Sequence, residues 1–158
     1  MQFSPRLHSC PPTTSAGLTQ WRSAITRGNR AFDEGDHARA IDCYRRACRV
    51  AASFFGQIGD ADAGVAALVV AHHNLADACE RLNDPAEQGA QLCVVHEHLC
   101  MAMDDPELDG AWRAAAWRHS RRTYVELMCF AGLHPGHARA HAALALCAGG
   151  PASEALAH

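Results

Sequence analysis

Residues 93–103 read CVVHEHLCMAM and place Cys93, His96, Cys100 and Met103 at offsets of 3, 7 and 10. On a helix these four side chains form one stripe. Thiolate, imidazole and thioether together suit Cu(I) or Zn(II). Structural zinc usually takes ligand pairs joined by loops, so ligands strung along one helix need partners from elsewhere. His72, His73 and Cys79 could supply them from the preceding segment. Leu92, Val95, Leu99 and Ala102 form the adjoining stripe, and together the two read by default as one core-facing surface with no metal. A metal-binding helical protein using Cys93, His96, Cys100 and Met103 is the alternative function.

A second stretch, WRAAAWRHSRR at 112–122, sets Arg118 and Arg122 four residues apart with Arg121 beside them. Three guanidinium groups on one side of a helix suit an acidic peptide or a carboxylate. The plainer reading is a solvated charged face, balanced by Asp104, Asp105 and Glu107. Trp112 and Trp117 serve either as core anchors or as aromatic contacts. Catalytic patterns are missing: there is no glycine-rich phosphate loop, no G-x-S-x-G and no H-E-x-x-H. His96-Glu97-His98 is too tight for a zinc-protease pair, because adjacent helical positions diverge by about 100°. The expectation is a protein that is not an enzyme and carries no cofactor.

Which elements must hold these residues follows from composition. The chain has 158 residues, enough for one domain. It is rich in alanine and poor in β-branched and aromatic residues, which predicts an all-α fold. A net charge of −3 argues against nucleic acid as a partner. All 14 basic residues are arginine. No apolar run approaches the roughly 20 residues needed to span a bilayer, so no membrane partner is expected. The N-terminal stretch lacks the apolar core of a secretory signal. Eight cysteines without a CxxC pair read as free, mostly buried thiols of a cytoplasmic protein. Abundant alanine and arginine without lysine associate with a bacterial, GC-rich source.

Residues 1–18, with Pro5, Pro11 and Pro12, read as a flexible leader, 19–148 as the folded domain, and 149–158 as a flexible tail after Gly149-Gly150-Pro151. Five turn signals divide the middle: Gly35-Asp36, 56–60, 82–85, 104–107 and 132–136. They predict six helices near 20–34, 37–55, 61–82, 85–103, 106–131 and 135–147. Connections this short make neighbouring helices antiparallel, giving three hairpins.

Small residues in GNRAFDEGDHARAIDCYRRA, 28–47, explain how the first hairpin could nest. Gly28 and Ala31 lie a turn apart on one helix, and Ala40 and Ala47 two turns apart on the next, with Tyr44 between them. This layout resembles the tetratricopeptide repeat (TPR), a helix-turn-helix unit of about 34 residues. Gly28 takes the family's glycine position, Ala31 the tyrosine position, Ala40 and Tyr44 the A-x3-F pair, and Ala47 the last alanine. Ala24 stands in place of tryptophan, Arg27 in place of leucine, and no proline closes the unit. A second copy appears in 72–90, where Asn74-Leu75-Ala76 begins the core, Cys79 takes the tyrosine position and Asn83-Asp84 aligns with Gly35-Asp36. There the small residue Gly89 falls one place late. The third hairpin, 112–146, keeps Tyr124, the 132–136 turn and an alanine-rich return.

The resemblance implies about six helices stacked as antiparallel hairpins in a right-handed superhelix. Its concave face would be lined by the first helix of each pair and would bind a peptide or protein segment, as an adaptor, small chaperone or regulatory scaffold. The candidate groove residues are Arg22, Asn29, His73, Asn74, Asp77, Arg118, Arg121 and Arg122. Asn29 and Asn74 fall where chaperone-binding members hold two asparagines of a carboxylate clamp. Ile25 stands at the first lysine position and the chain has no lysine, so arginine would have to neutralise an acidic partner with a different geometry. The two asparagines have an equally simple structural reading as ties between helices. A third function, self-association, would pair exposed end hairpins in a homodimer.

Overall fold

The computed structural model describes residues 14–147. Among them are six helices and no strand: α1 (Thr14–Asp33), α2 (His37–Phe54), α3 (Ala61–Arg81), α4 (Pro85–Asp104), α5 (Gly110–Leu133) and α6 (Ala138–Leu146). Helix starts follow from side chains that satisfy otherwise orphaned N–H groups. Asp36 accepts from the Arg39 amide at 3.1 Å, Asp60 from Ala63 at 3.0 Å, Asp84 from Glu87 at 3.1 Å and Asp109 from Ala111 at 2.8 Å. His137 Nδ1 does the same for Ala140 at 3.1 Å.

The first two hairpins turn by the same device. Gly35 has φ 79° and Asn83 has φ 55°. The Gly35 amide donates to Phe32 and that of Asp36 to Ala31; Asn83 donates to Glu80 and Asp84 to Cys79. Each left-handed residue thus reverses the chain while the last carbonyls of the helix stay bonded. Glycine does this without Cβ strain, and asparagine is the next most tolerant residue.

Three boundaries depart from the sequence reading, one of them the start of α6, which lies at Ala138 and not at 135. The leader expected over 1–18 ends sooner, because α1 already begins at Thr14. Gly17 is buried against the Phe54 ring, and Leu18 packs on the same core, so this turn has an apolar surface to dock on. Residues 1–13 and the expected tail at 149–158 lie outside the described residues. Helix α5 starts at Gly110 and not at 106. Asp105 closes a separate turn over Glu107 and Leu108, which lets Leu108 reach the core before Asp109 caps the helix.

Every substantial helix contact joins elements one or two apart in the chain. The helices therefore form a file and not a closed bundle, with three apolar clusters along it. The first unites α1, α2 and α3 around Ala24, Ala31, Ala40, Tyr44, Ala47 and Leu75. The second centres on Phe54, Leu68, Leu99 and Trp112, and the third on Leu92, Leu127, Phe130 and Ala140. Ala40 and Ala47 are fully buried, as close nesting of α1 on α2 requires.

Gly28 sits directly beneath the Tyr44 ring, and a Cβ there would fall inside ring contact. Gly28→Val is expected to cost about 1–3 kcal/mol by overpacking a site that cannot widen without parting the helices. Thermal melts of Gly28→Val alone and with Tyr44→Ala provide the check. The effects must be less than additive if close approach is the cause.

Candidate functional site

The eight groove candidates fall on α1, α3 and α5, and the structure sorts them into distinct settings. Arg22 is exposed on α1. Asn29 Oδ1 accepts from Tyr44 Oη at 2.8 Å and from Asn74 Nδ2 at 3.3 Å. The two asparagines thus meet each other across α1 and α3, in the tie between helices that their simpler reading anticipated. His73 is 6 % exposed and lies beneath the surface. Neither of its ring nitrogens has a hydrogen-bond partner. Burial first, then the nearby Arg122 and His72 charges, push its pKa down to about 4. Asp77 lies close by, and burial together with Glu126 and Glu80 holds its carboxyl above the usual range.

The three arginines of α5 do not act as one cluster. Arg118 Nη2 donates to Asp62 Oδ1 at 3.0 Å, and His119 Nε2 lies 3.1 Å from the same oxygen. The Arg118 hydrogen bond is the main cause that lowers the Asp62 pKa, with His119 adding to it. The balancing acid is therefore Asp62 on α3, not the Asp104, Asp105 and Glu107 expected from sequence proximity. Arg122 is exposed, and its charge bears on His73 and Asp77 of α3. Arg121 turns away and lies over the Trp117 ring, 4.7 Å from its centroid.

Trp112 and Trp117 have opposite fates. Trp112 is buried, while Trp117 is 54 % exposed. Trp117, Arg121, Tyr124 and Met128 recur at helical spacing, with Val125 beside them, and all five are exposed. Their side chains make α5 an apolar surface with a cation stacked upon it. Several concavities lie elsewhere. One of about 280 Å³ is bordered by Ser23, Arg27, Cys43 and Arg46, and one of about 430 Å³ by Pro85, Phe130, Leu133 and His137.

The cysteine-histidine stripe of α4 is buried, as its apolar neighbours indicated, but its members separate. Cys93 is a free buried thiol, held above its usual pKa by burial. Met103 packs against the central apolar cluster. His96 and Cys100 instead meet Cys147, at the C-terminal end of α6. Cys100 and Cys147 form a disulfide, which corrects the expectation of free thiols throughout. Free cysteines among the described residues are Cys43, Cys48, Cys79, Cys93 and Cys129. His96 Nε2 lies 3.6 Å from Cys100 Sγ, and its Nδ1 lies 2.8 Å from Thr123 Oγ1. Burial disfavours the charged imidazolium here.

Sequence reasoning missed Asp62, His119, Thr123 and Cys147. Their partners lie 56, 57, 27 and 47 residues away, so no local pattern ties them together. The exposed α5 stripe did carry a signal, its helical spacing of Trp117, Arg121, Tyr124 and Met128, but the arginines beside it read more strongly as a charge cluster.

These features define an all-α helical-hairpin protein with an exposed, mostly apolar file on α5 and a Cys-His group where α4 meets the end of α6. Residues 19–151 match the family described as "Protein of unknown function (DUF2753)", and the chain belongs to that family. No curated protein and no solved structure matches it. No described helix is long and apolar enough to cross a membrane.

Proposed function

We propose that this protein is a TPR-type interaction module that binds a peptide or protein segment along the α1, α3 and α5 side, with α5 as the main contact. The observation that carries the reading is the exposed file of Trp117, Arg121, Tyr124, Val125 and Met128. Tryptophan, tyrosine, methionine and arginine are the residues that protein interfaces favour. Single exposed apolar residues are ordinary, whereas a continuous helical file of them marks a docking surface. The sequential helix contacts and matching first and second turns support the repeat reading. Arg121 and Arg122 on the same helix favour a partner with acidic groups. In this proposal the module works in a bacterial cytoplasm and has no enzymatic step.

Self-association is the second reading, favoured because the same exposed α5 file would pair with its own copy in a twofold dimer. One experiment serves both. Wild type and Trp117→Ala/Met128→Ser are immobilised and challenged with native-cell extract, and their masses are measured across a dilution series. Loss of a discrete captured protein in the variant, with wild type monomeric throughout, is the expected result. A wild-type dimer that the variant abolishes supports self-association. Identical capture and identical mass for both proteins refute an α5 docking face.

A further inference from the structure

His96 and Cys100 lie one turn apart on α4, and Cys147 reaches them from the end of α6, 47 residues later. Ligand atoms of the three all lie within 4.8 Å of one another. Two of the three residues are buried.

The hydrogen bonds behind His96 decide which nitrogen is free. Thr123 Oγ1 donates its single proton to the Ser120 carbonyl at 3.0 Å. It can therefore only accept from His96 Nδ1, at 2.8 Å. Nδ1 carries the proton, and Nε2 presents a lone pair towards Cys100 Sγ at 3.6 Å. Metal-binding histidines are oriented in this way, with the second nitrogen tied to an outer partner. Zinc bonds of about 2.0–2.1 Å to nitrogen and about 2.3 Å to sulfur imply a tetrahedral N···S edge of about 3.5 Å. The His96–Cys100 pair already has that separation. Reduction of the disulfide frees both sulfurs to part towards the roughly 3.8 Å edge of a tetrahedral thiolate pair.

We propose that the reduced protein binds one thiophilic closed-shell cation, Zn(II) or Cu(I), through His96 Nε2, Cys100 Sγ and Cys147 Sγ. The disulfide is the oxidised, metal-free state of the same site. Cation and S–S bond exclude each other because both use the same two sulfurs. With hydrogen peroxide as oxidant, the two thiolates give up two electrons and form the S–S bond. The peroxide takes those electrons and two protons to yield two waters, and the cation departs. Three protein ligands satisfy Cu(I) and leave Zn(II) a fourth position for solvent or an incoming thiol. The ligand atoms differ from those of the α5 face, so this site and the docking function stand or fall separately.

The test uses the full chain, reduced and kept without oxygen, titrated with Co(II) as a spectroscopic probe. Thiolate-to-cobalt charge transfer and tetrahedral d–d bands should saturate at one equivalent, and Zn(II) should displace the cobalt. In a parallel arm, the protein should take Cu(I) from a coloured Cu(I) chelator if that ion fits better. Peroxide should abolish the bands and restore the disulfide. Cys147→Ser and His96→Gln should each remove the saturable signal, and Cys129→Ser should leave it intact. Thr123→Val keeps all three ligands and should weaken binding about 10–100-fold, an effect that mere packing does not produce in a variant with an unchanged helical spectrum. Reduced wild type that gives no saturable Co(II) band and takes no Cu(I) from the chelator, or a signal in either arm that survives Cys147→Ser and His96→Gln unchanged, overturns the proposal.

Discussion

Trp112→Ala is expected to remove about 3–5 kcal/mol from folding stability, the usual cost of emptying a large buried aromatic site. Trp112 is 3 % exposed and belongs to the central cluster with Leu68, Val95 and Leu99. Its indole edge lies against Gly64 of α3, where a Cβ would collide with it, and its ring lies tilted against Phe55, with centroids 4.8 Å apart. One side chain thus joins α5, α3 and the α2–α3 connection. Collapse cannot fill the void, because Gly64 has no side chain to move into it. A domain of this size holds about 5–15 kcal/mol in total, so the loss is a large share. Thermal and urea unfolding should show a melting point lower by on the order of 10 °C. Trp117→Ala is the matched control, five positions further along the same helix, and should move stability by no more than about 0.5 kcal/mol. Equal losses in the two variants would contradict the assignment of one tryptophan to the core and the other to the surface.

Acid should destabilise the protein through His73. Burial, Arg122 and His72 lower its pKa from the ordinary 6.5 to about 4. The folded chain therefore refuses a proton that the unfolded chain accepts below about pH 6.5. Stability is fully present above that value and is lost as pH falls towards 4, by about 3 kcal/mol over the window. His72, His96 and His98, also held low by burial, add to the slope. Asp77, held high, opposes it at the acidic end. His73→Leu should raise stability at neutral pH, since two buried nitrogens without partners disappear, and should flatten the acid limb. Urea midpoints from about pH 7 to about pH 4 measure both effects. Parallel curves for wild type and variant would assign the acid sensitivity to other groups.

Much of the fold was legible because the signals were local. Gly35-Asp36 and Asn83-Asp84 name a left-handed residue followed by a cap, and both turns form there. Pro85 marks the first turn of α4. Where two local signals competed, the nearer one misled: Asp105-Pro106 resembled a helix start, yet burial of Leu108 moved the start of α5 to Gly110. The sites were less legible because they depend on distance. Helical spacing put Cys93, His96, Cys100 and Met103 on one stripe, but only tertiary packing divides that stripe and brings in Cys147. Likewise, of three arginines close in sequence, Arg118 pairs with Asp62 and Arg121 stacks on Trp117, while Arg122 acts through its charge on His73. Asn29 and Asn74 were visible as a pair, and their mutual hydrogen bond needed the approach of α1 to α3.

Among the described residues, every substantial helix contact joins elements one or two apart in the chain. Packing of such a chain proceeds by closing short loops, so no distant segments have to find each other before a hairpin can form.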